Sequence, residues 1–168
     1  LDGEEIDGKT PDERARMGLF LAMQYPVGVG GITVEQLLRR SVQEILKGLA
    51  LPRQGQALSD ARIDILKFRK ELEKLAKKVG VKPELLRRSI NVGFSGGEKK
   101  RLEILQMLVM KPKYAVLDET DSGLDIDALR TISQNIKTFS LRPSAFGLQW
   151  PGILVITHYT RLLHYLKP

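Results

Sequence analysis

The sequence predicts an α/β fold, a parallel sheet with an inserted helical subdomain, incomplete at both ends. Two features carry that expectation. The runs Tyr114-Ala115-Val116-Leu117 and Ile153-Leu154-Val155-Ile156-Thr157 are short, apolar and separated by helical stretches, the pattern of strands covered on both faces. A third apolar run, Gly18 to Met23, stands far upstream, and the stretch between it and Ile90 reads as helical. At 168 residues, 42% hydrophobic and 28% charged, the chain can bury a core, and its composition excludes a disordered tail.

The elements follow in order. Pro11 opens a helical turn through Asp12-Glu13-Arg14-Ala15-Arg16, and Gly18 to Met23 reads as a buried strand ending at Gln24. Residues 25–32 hold Pro26, Gly28, Gly30 and Gly31 and read as a loop. Thr33-Val34-Glu35-Gln36 fits a capping box ahead of a helix with Leu37, Leu38, Val42, Ile45 and Leu46 on one face, which Gly48 should stop. After a punctuated stretch from Leu51 to Leu58, Ser59 or Asp60 should cap a long helix whose apolar residues are Ile65, Phe68, Leu72, Leu75 and Val79. Glu73 and Lys77 should pair on its wet side, Gly80 should end it, and Pro83 should start a short helix to Arg88. The charge between Lys67 and Lys82 mixes acids with bases and reads as a solvated face. Helices are then expected over 98–110, 125–138 and 159–166, before, between and after the last two strands.

Composition narrows the chemistry. No cysteine is present, which excludes disulfides, thiolate metal sites and cysteine nucleophiles, and only His158 and His164 remain as imidazoles. A net charge of +7 favours polyanionic partners without choosing among them. No apolar run reaches the length of about 18 residues that a membrane span needs, and the start is acidic where a secretory signal is basic. The chain therefore reads as cytoplasmic, without membrane insertion. It lacks an initiator Met and ends soon after an apolar stretch, so both ends read as cut.

Ligands of open α/β sheets bind beyond the carboxyl ends of the strands, which directs attention to Gln24, Asp118-Glu119 and His158. A carboxylate pair at a strand end suits a hydrated magnesium ion and an attacking water, although an Asp there also caps turns. His158 beside Tyr159 is either part of that chemistry or a plain surface histidine. Ser95-Gly96-Gly97-Glu98 opens a helix and presents unpaired N–H groups to an anion, or forms an ordinary cap. Gly3 to Thr10 matches G-x-x-x-x-G-K-[ST], the phosphate-cradling pattern. It is set aside: only two residues precede Gly3, Pro11 interrupts any helix begun at Lys9, and Glu4, Glu5 and Asp7 would repel a triphosphate.

Together, Gln24-Tyr25-Pro26, Phe94-Ser95-Gly96-Gly97-Glu98-Lys99-Lys100-Arg101, Leu117-Asp118-Glu119-Thr120-Asp121-Ser122-Gly123-Leu124-Asp125 and Ile156-Thr157-His158-Tyr159 make a specific series. It resembles the ABC-type ATPases, a P-loop NTPase-like family. Within them, Glu98-Lys99-Lys100, Glu103-Ile104-Leu105-Gln106-Met107 and Asp121 to Asp125 look like the SufC branch, the ATPase subunits of SUF iron–sulfur cluster assembly.

The resemblance implies ATP and Mg2+ as cofactors. It implies Gln24 as the Q-loop glutamine near magnesium and water, and Ser95, Gly96, Gly97 and Glu98 as the signature that closes on ATP held by a second copy. Asp118 would be the Walker B metal aspartate, Glu119 the catalytic carboxylate, Ser122, Gly123, Leu124 and Asp125 the D-loop, and His158 the switch histidine. It divides the chain into an ATPase core over residues 1–24 and 90–168 and a helical subdomain over 25–89, which would meet SufB- and SufD-like scaffold subunits. The family's own phosphate loop is expected upstream of Leu1 and its remaining strands beyond Pro168, so these residues alone are expected neither to bind ATP tightly nor to hydrolyse it. The alternatives are a transporter's nucleotide-binding subunit and a DNA-associated ABC-like ATPase. The second rests on charge alone, with few aromatics and no base-reading motif, and no nucleic-acid partner is expected.

Overall fold

The structure, a computed structural model, describes residues 1–49, 63–142, 145 and 151–167. The expected loop over 51–58, the capping role of Ser59 or Asp60 and most of the segment from Arg142 to Gly152 lie outside the described residues.

The order is α1 (Pro11–Arg16), β1 (Leu19–Ala22), α2 (Val34–Leu49), α3 (Ile65–Val79), a 3₁₀ turn (Pro83–Arg87), α4 (Gly96–Met110), β2 (Tyr114–Asp118), α5 (Ile126–Ser140), β3 (Gly152–Ile156) and α6 (Thr160–Leu166). The three strands form a parallel sheet in the order β1-β2-β3, with Ala22 opposite Leu117 and Asp118 opposite Ile156. All three therefore end at the same edge, which collects the residues that follow them.

Local chemistry explains most boundaries. Thr33 and Gln36 exchange capping-box bonds at the start of α2: the Thr33 N–H donates to Gln36 Oε1 at 2.9 Å, and the Gln36 N–H donates to Thr33 Oγ1 at 3.2 Å. Gly48 does not stop α2, which runs to Leu49. At α3 the described cap is Asp64, whose carboxylate accepts the Lys67 N–H at 3.0 Å. Gly80 closes α3 at φ 74°, a left-handed conformation that glycine reaches without penalty. On its wet side no Glu73–Lys77 pair forms among the described residues; Glu71 and Lys74 approach at 4.0 Å instead. An exposed pair is worth little, so side-chain entropy decides which one forms.

The core lies on one face of the sheet. Phe20, Ala22, Ala115 and Leu117 are buried in one cluster with Leu102, Ile104, Leu105 and Met107 of α4 and Ile132, Ile136 and Phe139 of α5. The alternate residues tell the opposite story: Leu21 and Leu154 are exposed, and Val116 between them is half-buried. Coverage on both faces was expected; among the described residues only one face is covered, because the helices that pack on the sheet share a single side. Residues 1–10 contain no strand, and the Thr10 hydroxyl is engaged by Asp12 and Glu13 at the start of α1, so the Gly3–Thr10 pattern lacks the strand-to-helix setting of a phosphate loop. No described helix is long and apolar enough to cross a membrane.

Candidate functional site

The ends of the three parallel strands converge on Glu119. Gln24, two residues beyond β1, donates its Nε2 to Glu119 Oε2 at 2.7 Å. His158, two residues beyond β3, places Nε2 3.0 Å from Glu119 Oε1. One carboxylate oxygen thus accepts the amide's hydrogen bond, and the other lies within ion-pair distance of the imidazole nitrogen. The Glu119 side chain is 19% exposed and that of His158 is 79% exposed, so the cluster opens to solvent on the histidine side.

Glu119 adopts φ 47°, the left-handed region that costs a non-glycine residue about 1 kcal/mol. Two main-chain bonds hold it there: the Glu119 N–H donates to the Ile156 carbonyl at 2.9 Å, and its own carbonyl accepts the Ser122 N–H at 3.1 Å. Backbone strain of this kind concentrates where function over-determines geometry. Asp118 is the last residue of β2, half-buried, and shares its sheet face with Val116. Among the described residues its carboxylate makes no ion pair or side-chain hydrogen bond.

The residues expected as the signature form a separate unit. Ser95 caps α4: its Oγ accepts the Glu98 N–H at 3.2 Å, and the Ser95 N–H donates to Glu98 Oε2 at 2.9 Å. That backbone N–H also holds the Glu98 carboxyl below its ordinary range. Ser95 and Gly96 are exposed, and a Cβ built on Gly96 meets nothing within 4 Å. Ser95 to Glu98 share no hydrogen bond with Gln24, Glu119 or His158. In the D-loop candidates, Gly123 takes φ 71° and the Ser122 N–H closes the turn on Glu119. The Asp125 carboxylate accepts the Ala128 N–H at 2.7 Å as the N-cap of α5, with Leu124 packed 3.8 Å from the Cβ position of Gly97.

Sequence reasoning missed a second charged pair. Lys100 Nζ donates to the carbonyls of Met23 and Gln24, each at 2.8 Å, and the Met23 N–H donates to Glu103 Oε1 at 2.7 Å. Lys100 and Glu103 approach at 3.7 Å, each side chain 6% exposed. Burial pushes the Glu103 carboxyl up to about 7, outweighing the Met23 N–H and the Lys100 charge. Residue order gave no signal for it: Leu102, Ile104 and Leu105 beside Glu103 are fully buried because the helix is enclosed, which only the structure shows. Asp121 and Thr157, joined at 2.6 Å, were also missed as a contact.

Comparison with known proteins matches this arrangement to a family. Residues 2–122 match the ABC transporter family. The chain is 45% identical over 168 residues to a probable ABC transporter ATP-binding protein of Streptococcus pyogenes, covering all of this chain and 59% of that protein. It is 43% identical to vegetative protein 296 of Bacillus subtilis, covering 58% of it, and 43% identical over 166 residues to the probable ATP-dependent transporter ycf16 of Trieres chinensis, covering 60% of it. The chain thus spans about three fifths of the length of these relatives. Among solved structures, the dimeric ABC transporter cassette MJ0796 superposes with a TM-score of 0.71 at 15% identity over 98% of this chain and 64% of that one. The same cassette in a post-hydrolysis state bound to ADP and Pi gives a TM-score of 0.65 at 17% identity, again over 98% of this chain and 64% of that one. With three parallel strand ends converging on one glutamate, and with residues 2–122 matched, the chain belongs to the ABC transporter family.

Proposed function

We propose that this chain carries the hydrolytic machinery of an ABC-type ATPase subunit that energises iron–sulfur cluster assembly, working as a head-to-tail dimer closed by ATP. The observation that supports it most is the grip of Gln24 and His158 on the two oxygens of Glu119, at 2.7 and 3.0 Å. Each carboxylate oxygen has a second lone pair, so a carboxylate held in this way still accepts a hydrogen bond from water. Glu119 then orients the attacking water and receives its proton, with its rotamer set in advance. His158 meets the terminal phosphate from the exposed side, and Gln24 links the site to the loop that leaves β1.

Mg2+, when bound, neutralises phosphate charge. The donors fit it: Asp118 offers an uncommitted carboxylate, and Gln24 retains its amide oxygen, because its bond to Glu119 uses Nε2. Among the described residues no group of three or more acidic or imidazole side chains could hold a metal alone, which suits an ion that leans on water and phosphate oxygens. Gly96 supports the dimer. Nothing among the described residues forbids a side chain there, so the glycine serves an approach from outside, the phosphates of ATP held by a second copy. In the helical subdomain proposed over residues 25–89, the exposed Tyr25, Val27 and Val29 suit docking of SufB- and SufD-like subunits. The SUF assignment rests on Glu98-Lys99-Lys100, on Glu103 to Met107, on Asp121 to Asp125 and on His158-Tyr159 with Arg161-Leu162-Leu163.

The reading is tested by nucleotide titration and turnover of this chain beside one lengthened at its N-terminus to the extent of its relatives. The short chain is expected to bind ATP weakly. The longer one should hydrolyse it, and Glu119→Gln should lower that turnover at least a hundredfold. Hydrolysis that survives Glu119→Gln defeats the reading. A second reading, a transporter's nucleotide-binding subunit, is favoured by the names of the relatives. Affinity capture of the protein separates the two: a membrane permease supports the transporter, and non-membrane scaffold subunits support cluster assembly.

A further inference from the structure

His158 is almost free of its own surroundings. Its side chain is 79% exposed and its one described polar contact is Glu119, so no packing sets its rotamer. Its backbone, by contrast, is tightly held. Thr157 Oγ1 accepts the Tyr159 N–H at 2.9 Å, a hydroxyl-closed turn with His158 at its centre. The same oxygen lies 2.6 Å from Asp121 Oδ2 and 3.4 Å from the Tyr159 carbonyl. A hydroxyl has one proton, and the shorter, charge-assisted contact takes it, so Thr157 donates to Asp121. Asp121 is 5% exposed, and its other oxygen, Oδ1, is buried without a partner among the described residues. A buried carboxylate with one unsatisfied oxygen is costly, and Thr157 is the side chain that offsets part of that cost.

These contacts close a ring. Glu119 and Asp121 lie in one turn, Thr157 and His158 in another; Glu119 meets His158 across one gap and Asp121 meets Thr157 across the other. We propose that Asp121 and Thr157 are positioning residues that hold the His158 imidazole against Glu119, acting through the turn at 157–159. For its effect on turnover this rests on the ATPase reading above; the geometric claim does not.

The chain has only two histidines, so ¹⁵N-histidine labelling gives a simple spectrum. Glu119→Gln marks the position of the His158 signals when the partner carboxylate is lost. Thr157→Val and Asp121→Asn are expected to move those signals toward the Glu119→Gln position, while Thr157→Ser, which keeps the hydroxyl, holds them at the wild-type position. In the lengthened chain that turns over ATP, the first two variants should lower kcat about tenfold with KM within about twofold, and Thr157→Ser should restore it. If Thr157→Val and Asp121→Asn leave the His158 signals in place while Glu119→Gln moves them, the positioning claim alone falls. If Glu119→Gln moves nothing either, the His158–Glu119 contact and the functional reading built on it fall together.

Discussion

Two glutamates grip the short segment that leaves β1, and they do so in opposite settings. Glu119 meets the Gln24 side chain and faces solvent through His158. Glu103 meets the Met23 main chain, lies beside Lys100 and is 4% exposed. Side-chain contacts at an open edge can be made and broken during a cycle, whereas main-chain contacts in a dry interior fix where the segment starts. Charge at the strand ends is therefore available to a ligand, and charge on α4 is committed to architecture. Because Ser95 caps α4 and Lys100 lies on it, the buried pair also ties this helix to Gln24, and through it to Glu119.

Stability measurements can break this contrast. Lys100→Met leaves the Glu103 carboxylate and two carbonyls buried without a cation, and chemical denaturation should register a loss of about 3–5 kcal/mol. Glu119→Gln keeps an acceptor at a partly exposed site and should stay within about 0.5 kcal/mol of wild type. Equal losses at the two sites would erase the distinction.

Next in size is a pH effect. The folded Glu103 carboxyl is raised to about 7 from an ordinary 4.5, so between those values the folded state holds more protons than the unfolded one. Stability must then fall as pH rises from about 4.5 through 7, by at most ~3 kcal/mol, and level off above. Denaturation across that window should show the slope in wild type and lose it in Glu103→Gln.

Smaller effects sharpen the other side of the comparison. Asp125→Ala removes the N-cap of α5 and should cost about 1 kcal/mol in the same assay. Gly96→Ala inverts the usual sign. Its Cβ meets nothing within 4 Å among the described residues and its backbone is helical, so the melting temperature should rise with a gain of about 0.5 kcal/mol, while in the lengthened chain ATP-dependent pairing of two copies, read by light scattering, should be lost.

Much of this was legible from residue order. Apolar runs bounded by polar residues marked β2 and β3, and the rule that ligands sit beyond parallel strand ends singled out Gln24, Glu119 and His158. The capping residues Thr33 and Ser95 declared their helices because their bonds are made to residues three positions away. The buried pair was not legible. Lys100-x-x-Glu103 looks like any solvated i,i+3 pair until the helix is known to be enclosed, and the groups it serves lie 77 and 80 residues upstream. Asp121–Thr157 spans 36 residues and was equally invisible.

From the chain alone came the element order, the parallel sheet, and the short list of polar residues able to do chemistry, because strand and helix periodicity and capping are contacts between near neighbours. Tertiary structure decided which of those residues meet. It set Glu119 between Gln24 and His158 and drew Lys100 and Glu103 into the interior. Those outcomes depend on which helix face is enclosed and how strand ends align, and both are set by packing between segments far apart in sequence.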